Sequence, residues 1–123
     1  YRLSQLSSEG TMKESLSDFN EFRSEMNEEI HASEHLGMKR FFALDHQAYQ
    51  DGALNRKTKE LLGLVASAVL RCDDCITYHL VQCGEAGWKR DEVIDALNVG
   101  GSIVIPHLRR AFSRMREIPG LHP

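Results

Sequence analysis

The 123 residues, 41% hydrophobic and 27% charged, have the size and composition of one globular domain able to bury its own core. A net charge of -3 and a pI near 6.1 leave no electrostatic footprint for nucleic acid or an acidic membrane surface. No apolar run approaches the roughly 20 residues that span a bilayer, and three cysteines without a secretory leader exclude a disulfide scaffold and point to thiol chemistry in a reducing compartment, the cytoplasm.

The chain starts at Tyr1, which reads as a fragment or processed product with Met12 a candidate natural start. Residues 1–11 are expected to be disordered or foreign to the folded domain. Thr11 and Glu14 form a capping-box pattern ahead of Leu16, Phe19, Phe22, Met26 and Ile30, which recur at helical spacing and predict an amphipathic first helix. A break is expected over Ser33 to Gly37. Met38, Phe41, Phe42, Ala48 and Tyr49 mark a second helix, with Met38 and the phenylalanines as core and Gly52 as its stop. His31 and His35 fall on one face if the first helix continues, and a solvated face is favoured over a metal pair for want of a third ligand.

Asn55 is an N-cap for a third helix from Arg56. From Leu61 to Leu70 that helix is apolar on nearly every face, which predicts a central position covered by neighbouring helices or another subunit. A fourth helix, capped by Cys72 or Asp73, runs to about Ala86 and is ended by Gly87. Trp88 and Lys89 lead into a fifth helix carrying Val93, Ile94, Leu97, Val104, Ile105, Leu108 and Phe112. Gly100 and Gly101 suggest close packing there, and Pro106 should kink it. Arg109, Arg110, Arg114 and Arg116 read as a solvated face near a helix C-terminus. No stretch alternates with period two for long enough to argue a strand. The fold class is all-α, with five to six helices and a central antiparallel pair.

The chemistry gathers at Glu60, Cys72, Cys75 and His79. A Cys-x-x-Cys at a helix start suits a reversible disulfide, because the first cysteine sits where the backbone is looser than inside the helix. The free amides and macrodipole of a first turn favour thiolate, whereas Asp73 and Asp74 oppose it, so a base is needed. His79 stands one helical turn beyond Cys75 on the same face. If the third and fourth helices turn back on each other at residues 71–72, Glu60 lies opposite the level of residue 83, about one turn or roughly 5.4 Å beyond His79. Cys75, His79 and Glu60 then form a thiol, a base and a group that orients the base.

Zinc is the rival reading, since Cys72, Cys75, His79 and Cys83 supply four ligand types. On a continuous helix, however, Cys83 stands roughly 12 Å from Cys75, too far for one tetrahedral ion. Ile76, where a Cys-x-x-Cys-His haem motif needs histidine, excludes haem attachment. Cys83 reads as a buried small hydrophobe, and His107 as a residue that could line the pocket.

Glu60, Cys72, Cys75 and His79 at this spacing, between LNRKTKELLGLVASAVLRC and HLVQCGEAGWKRDEVIDAL, resemble the signature of the alkylhydroperoxidase D-like branch of the carboxymuconolactone decarboxylase superfamily. The resemblance covers about residues 36 to 112 and makes residues 1–123 a single domain of that kind. It implies an all-helical bundle assembled as a homotrimer or homohexamer and a peroxidase or disulfide oxidoreductase with no bound cofactor. The substrate would be a hydroperoxide or disulfide, and the electron donor a thiol. In such a protein Cys75 attacks the peroxide, Cys72 resolves the intermediate, and His79 with Glu60 relays the proton. The family's peroxidases carry a further histidine between the cysteines, where this chain has Asp74. Its decarboxylase branch generally lacks the cysteine pair. Two alternatives stand beside this reading: a non-redox enzyme or binder of a small organic acid, and a helical interaction module held by zinc.

Overall fold

The computed structural model describes residues 15–103, 105–117 and 119–121, apart from the side chains of 107, 108 and 110–112. Among the described residues all regular structure is helical: α1 Leu16–Ala32, α2 Leu36–Ala48, α3 Arg56–Leu70, α4 Asp73–Glu85, α5 Arg90–Ile103 and α6 Ile105–Met115. None of these helices is long and apolar enough to cross a membrane. The chain divides into two compact units, one ending at Ala48 and the other beginning at Tyr49.

In the first unit, the capping box that opens α1 is built from Ser15 and Asp18. The Ser15 hydroxyl accepts from the Asp18 amide at 3.0 Å, and the Asp18 carboxylate accepts from the Ser15 amide at 3.3 Å. The Thr11–Glu14 box lies outside the described residues. The expected break falls at Ser33 to His35. Ser33 bonds back to the Ile30 carbonyl at 2.6 Å, Glu34 turns the chain with φ 57°, and His35 Nδ1 accepts from the Met38 amide at 3.3 Å to open α2. His31 packs on the Phe42 ring at 4.8 Å, so the two histidines have separate structural tasks. α2 ends at Ala48, and Gly52 is not its stop. Gly52 has no positive φ and instead donates to the Leu54 carbonyl at 2.9 Å within the following loop. Phe41 and Met38, expected in the core, are 75% and 47% exposed.

The second unit is organised by the α3–α4 hairpin. Asn55 caps α3, its side chain accepting from the Thr58 amide at 2.8 Å. Arg71 ends the helix with φ 60° and ψ 41°, and two bonds close the turn: Arg71 N–H to Ala68 at 3.2 Å and Cys72 N–H to Ser67 at 3.0 Å. This is a Schellman closure with arginine where glycine is usual. It delivers Cys72 as the N-cap residue of α4. At the other end Gly87, with φ 92°, closes α4 in the same way, and Trp88 Nε1 donates to the Lys57 carbonyl at 2.8 Å. The end of α4 is thereby tied to the start of α3, and the two helices run antiparallel.

α5 packs against α3 through Gly100. A Cβ there would stand 3.2 Å from Val65 and 3.4 Å from Val69, while Gly101 faces open space. The expected fifth helix is described as α5 up to Ile103 and α6 from Ile105, with residue 104 outside the described residues and Pro106 the second residue of α6. α3 is not buried all round in the single chain. Glu60, Gly63, Leu64 and Ser67 form its buried face, while Leu62 is 54% and Leu70 77% exposed.

Candidate active site

The buried face of α3 is unusual for an apolar helix, because a carboxylate, a glycine and a hydroxyl line it. Glu60 is 2% exposed, and its position follows from the hairpin. From the turn at Arg71 and Cys72, Glu60 and His79 are carried to facing positions on the two helices. Glu60 Oε1 lies 2.8 Å from His79 Nδ1, and His79 is itself only 7% exposed. The second carboxylate oxygen faces Arg56 Nε at 3.8 Å. A carboxylate deprived of water in this way needs such partners, since an unpaired buried charge costs several kcal/mol. Among the described residues no buried side-chain nitrogen or oxygen lacks a partner.

The bonding pattern assigns the histidine tautomer. A carboxylate only accepts, so Nδ1 carries the hydrogen and donates to Glu60. In the neutral ring Nε2 then holds the lone pair, and the hydroxyl of Tyr49 lies 3.2 Å from it. The Tyr49 and Tyr78 rings pack on the imidazole at 5.1 Å and 5.2 Å between centroids, the latter edge-on. Gly63 makes room for this arrangement. A Cβ at that position would be 2.7 Å from both His79 Cε1 and the Tyr49 hydroxyl.

Cys72 and Cys75 are joined in a disulfide, with Cα atoms 5.2 Å apart, at the start of α4. Cys75 lies on the exposed side and His79 on the buried side of the next turn, separated by about 6 Å of helical rise. In this oxidised state both imidazole nitrogens are engaged, by Glu60 and by Tyr49. The structure thus joins the four expected residues as two pairs, Cys72 with Cys75 and Glu60 with His79, on adjacent turns of one hairpin. Cys83 is a fully buried free thiol. Burial raises its pKa, and the nearby Glu60 carboxylate adds to the shift, which keeps the thiol protonated. Among the described residues no group of three or more histidine, cysteine or acidic side chains could hold a metal ion, so the zinc set is not assembled. The His107 side chain is outside the described residues.

Two site residues escaped the sequence reading. Tyr49 reads in the sequence only as a marker of the second helix, and Gly63 only as a position inside the apolar run from Leu61 to Leu70. The signal for Gly63 was available: it lies three residues after Glu60, hence on the same face, and glycine inside a helix costs about 1 kcal/mol relative to alanine. Tyr49 gave no such signal, since loop contacts with α3 place it.

The family model for the carboxymuconolactone decarboxylase family matches residues 36–117. Two crystal structures of a Thermotoga maritima protein are 55% identical to the chain. They cover 80% of it and 90% and 87% of their own chains, with TM-scores of 0.64 and 0.63. That protein is named as a carboxymuconolactone decarboxylase family member with a suggested part in the antioxidative response. A Paracoccus denitrificans protein, known as uncharacterized protein 4 in the cox locus, is 27% identical over 84 residues, which are 65% of this chain and 76% of that one.

Proposed function

The chain belongs to the carboxymuconolactone decarboxylase family, and we propose that within it the protein is a thiol-dependent peroxidase or disulfide oxidoreductase of the alkylhydroperoxidase D-like kind. The observation that carries this reading is the Cys72–Cys75 disulfide at the head of α4, whose next turn holds His79 bonded to the buried Glu60 of α3. The suggested antioxidative role of the Thermotoga maritima relative supports it.

In the reduced enzyme His79 takes the Cys75 proton, and Glu60 stabilises the imidazolium that forms. The Cys75 thiolate attacks one peroxide oxygen. The O–O bond breaks, the alkoxide leaves with the proton returned from His79, and Cys75 becomes a sulfenic acid. The Cys72 thiol then attacks that sulfur and releases water, leaving the disulfide. An external thiol donor supplies two electrons and two protons to restore the dithiol. Such cycling suits a reducing compartment, the cytoplasm. The exposed Leu62 and Leu70 on α3 support assembly with further copies of the chain, as homotrimer or homohexamer.

The deciding experiment is thiol titration before and after cumene hydroperoxide. Wild-type protein should lose two thiols and form the 72–75 bridge, with Cys83 unchanged. Cys72→Ser should react once and stop at the sulfenic acid, and Cys75→Ser should not react at all. Peroxide consumption by Cys75→Ser but not by Cys72→Ser would reverse the nucleophile assignment. Wild-type behaviour in both variants would leave the non-redox reading of the family in its place.

A further inference from the structure

His79 is gripped at both nitrogens, and only one grip belongs to the thiol, base and orienter set. Glu60 fixes Nδ1–H, while the Tyr49 hydroxyl occupies the lone pair on Nε2 at 3.2 Å, the lone pair a base must use. Tyr49 is held there by its surroundings. The loop behind it is pinned to α3 by Lys59 Nζ donating to the Gln50 carbonyl at 2.6 Å and by the Arg56 amide donating to Asp51 at 2.7 Å. The meeting point of hydroxyl and imidazole lies directly over Gly63, where any side chain would displace both. A tyrosine that only filled space would need neither a hydroxyl aimed at Nε2 nor a glycine beneath it.

We propose that Tyr49 is a positioning residue of the thiol site: its hydroxyl, donating to the Nε2 lone pair of the tautomer that Glu60 fixes, holds the His79 ring in place and passes to that nitrogen the proton that Cys75 gives up. As the hydroxyl hydrogen moves to Nε2, the phenol oxygen accepts the thiol proton, directly or through one water. One proton travels from sulfur to imidazole, and tyrosine ends unchanged. On peroxide attack the same proton returns by this route to the leaving alkoxide. The proposal rests on the dithiol reading above, with Cys75 as the reactive thiol.

The test is Tyr49→Phe in the full chain, which keeps the ring packing on His79 and removes only the hydroxyl. With the dithiol reduced, iodoacetamide alkylation of Cys75 is followed by peptide mapping from about pH 5 to about pH 9, spanning the ordinary thiol pKa near 8.5. Loss of one hydrogen bond to the base should lower the neutral-pH rate about threefold to tenfold. The deficit should close above the thiol pKa, and His79→Gln should set the lower limit. Imidazole ¹⁵N spectra should show Nε2 of His79 shifted in the variant with Nδ1 still protonated. A wild-type alkylation profile, a faster neutral-pH rate, or an unmoved Nε2 resonance in Tyr49→Phe would each overturn the proposal. So would identical profiles for wild type and His79→Gln. Alkylation needs no peroxide, so inertness of the wild-type protein toward hydroperoxides would remove the peroxidase reading and leave this comparison intact.

Discussion

Replacing Gly63 by alanine separates the needs of the site from those of the helix. On α3 alone the change is favourable, since glycine inside a helix costs about 1 kcal/mol relative to alanine. The new methyl, however, would stand 2.7 Å from His79 Cε1 and the Tyr49 hydroxyl and 2.9 Å from His79 Nε2, where ordinary contact begins at 3.4 Å. The imidazole has little room to yield, with Glu60 at Nδ1 and the Tyr78 ring against its side. Overpacking of this kind costs about 1–3 kcal/mol, and weakening a hydrogen bond to a charged group about 1.5–3 kcal/mol. The net expectation is a loss of about 1.5–5 kcal/mol, which lowers a urea midpoint by roughly 1–3 M for an ordinary m-value. Protomer concentration must be fixed between samples. Gly84→Ala on α4 is the control, because nothing lies within 4 Å of the new methyl, and it should gain about 0.5–1 kcal/mol. Neutral-pH Cys75 reactivity should fall in Gly63→Ala and stay unchanged in Gly84→Ala. If Gly63→Ala proves as stable and as reactive as Gly84→Ala, the close approach of His79 and Tyr49 over that glycine is not how the protein is built in solution.

Glu60→Gln and His79→Gln should each slow peroxide attack near neutral pH by about 10²–10⁴-fold, and the double variant should be little worse than either, since one pathway is broken twice. Additive losses in stopped-flow traces would show two separate roles. Arg71→Gly should stabilise the protein by about 0.5–1 kcal/mol in chemical denaturation, because the residue at φ 60° loses its left-handed strain at some cost in unfolded-chain entropy. The Cys83 thiol has a raised folded-state pKa, from burial first and Glu60 second, so its contribution to stability is full below the unfolded-state pKa of about 8.5 and is lost as pH rises toward the folded value. Cys83→Ala should therefore flatten the alkaline decline in midpoint seen for wild type, and parallel declines would sink this assignment. Sedimentation at micromolar concentration should find an assembly larger than one chain, given Leu62 at 54% and Leu70 at 77% exposure on α3, and a monomer would remove the idea.

Sequence arithmetic reached the Glu60–His79 contact because both residues lie on a regular hairpin. With the turn at 71–72 known, rise per residue fixes which side chains face each other, and the expected separation of one turn closed to a 2.8 Å bond through side-chain reach. Asn55 and Gly87 were legible for a similar local reason, since cap chemistry acts within one turn. The misses share the opposite property. Tyr49 meets a partner 30 residues away through a loop whose course depends on Lys59 and Arg56, and nothing local encodes that. Phe41 shows that apolar periodicity marks a face in want of cover without naming what covers it.

The departures from local rules in the second unit fall together. A carboxylate is buried at 2% exposure, a glycine interrupts the apolar helix three residues later, an arginine takes the left-handed position at that helix's end, and a histidine is buried opposite. Stability accounts for none of them. A buried charged pair commonly does no better than well-packed hydrophobes of the same volume, alanine would suit the helix better than Gly63, and glycine would suit the turn better than Arg71. Each has a place in the proposed thiol mechanism, in which Glu60 and His79 supply the base, while in the structure Gly63 lets Tyr49 reach His79 and the turn at Arg71 sets Cys72 at the head of α4. Conflicts between local preference and global fold are expected where function demands them. Here they all fall on the hairpin that carries the disulfide, while α5 shows the opposite case in Gly100, a glycine explained by helix packing against Val65 and Val69 alone.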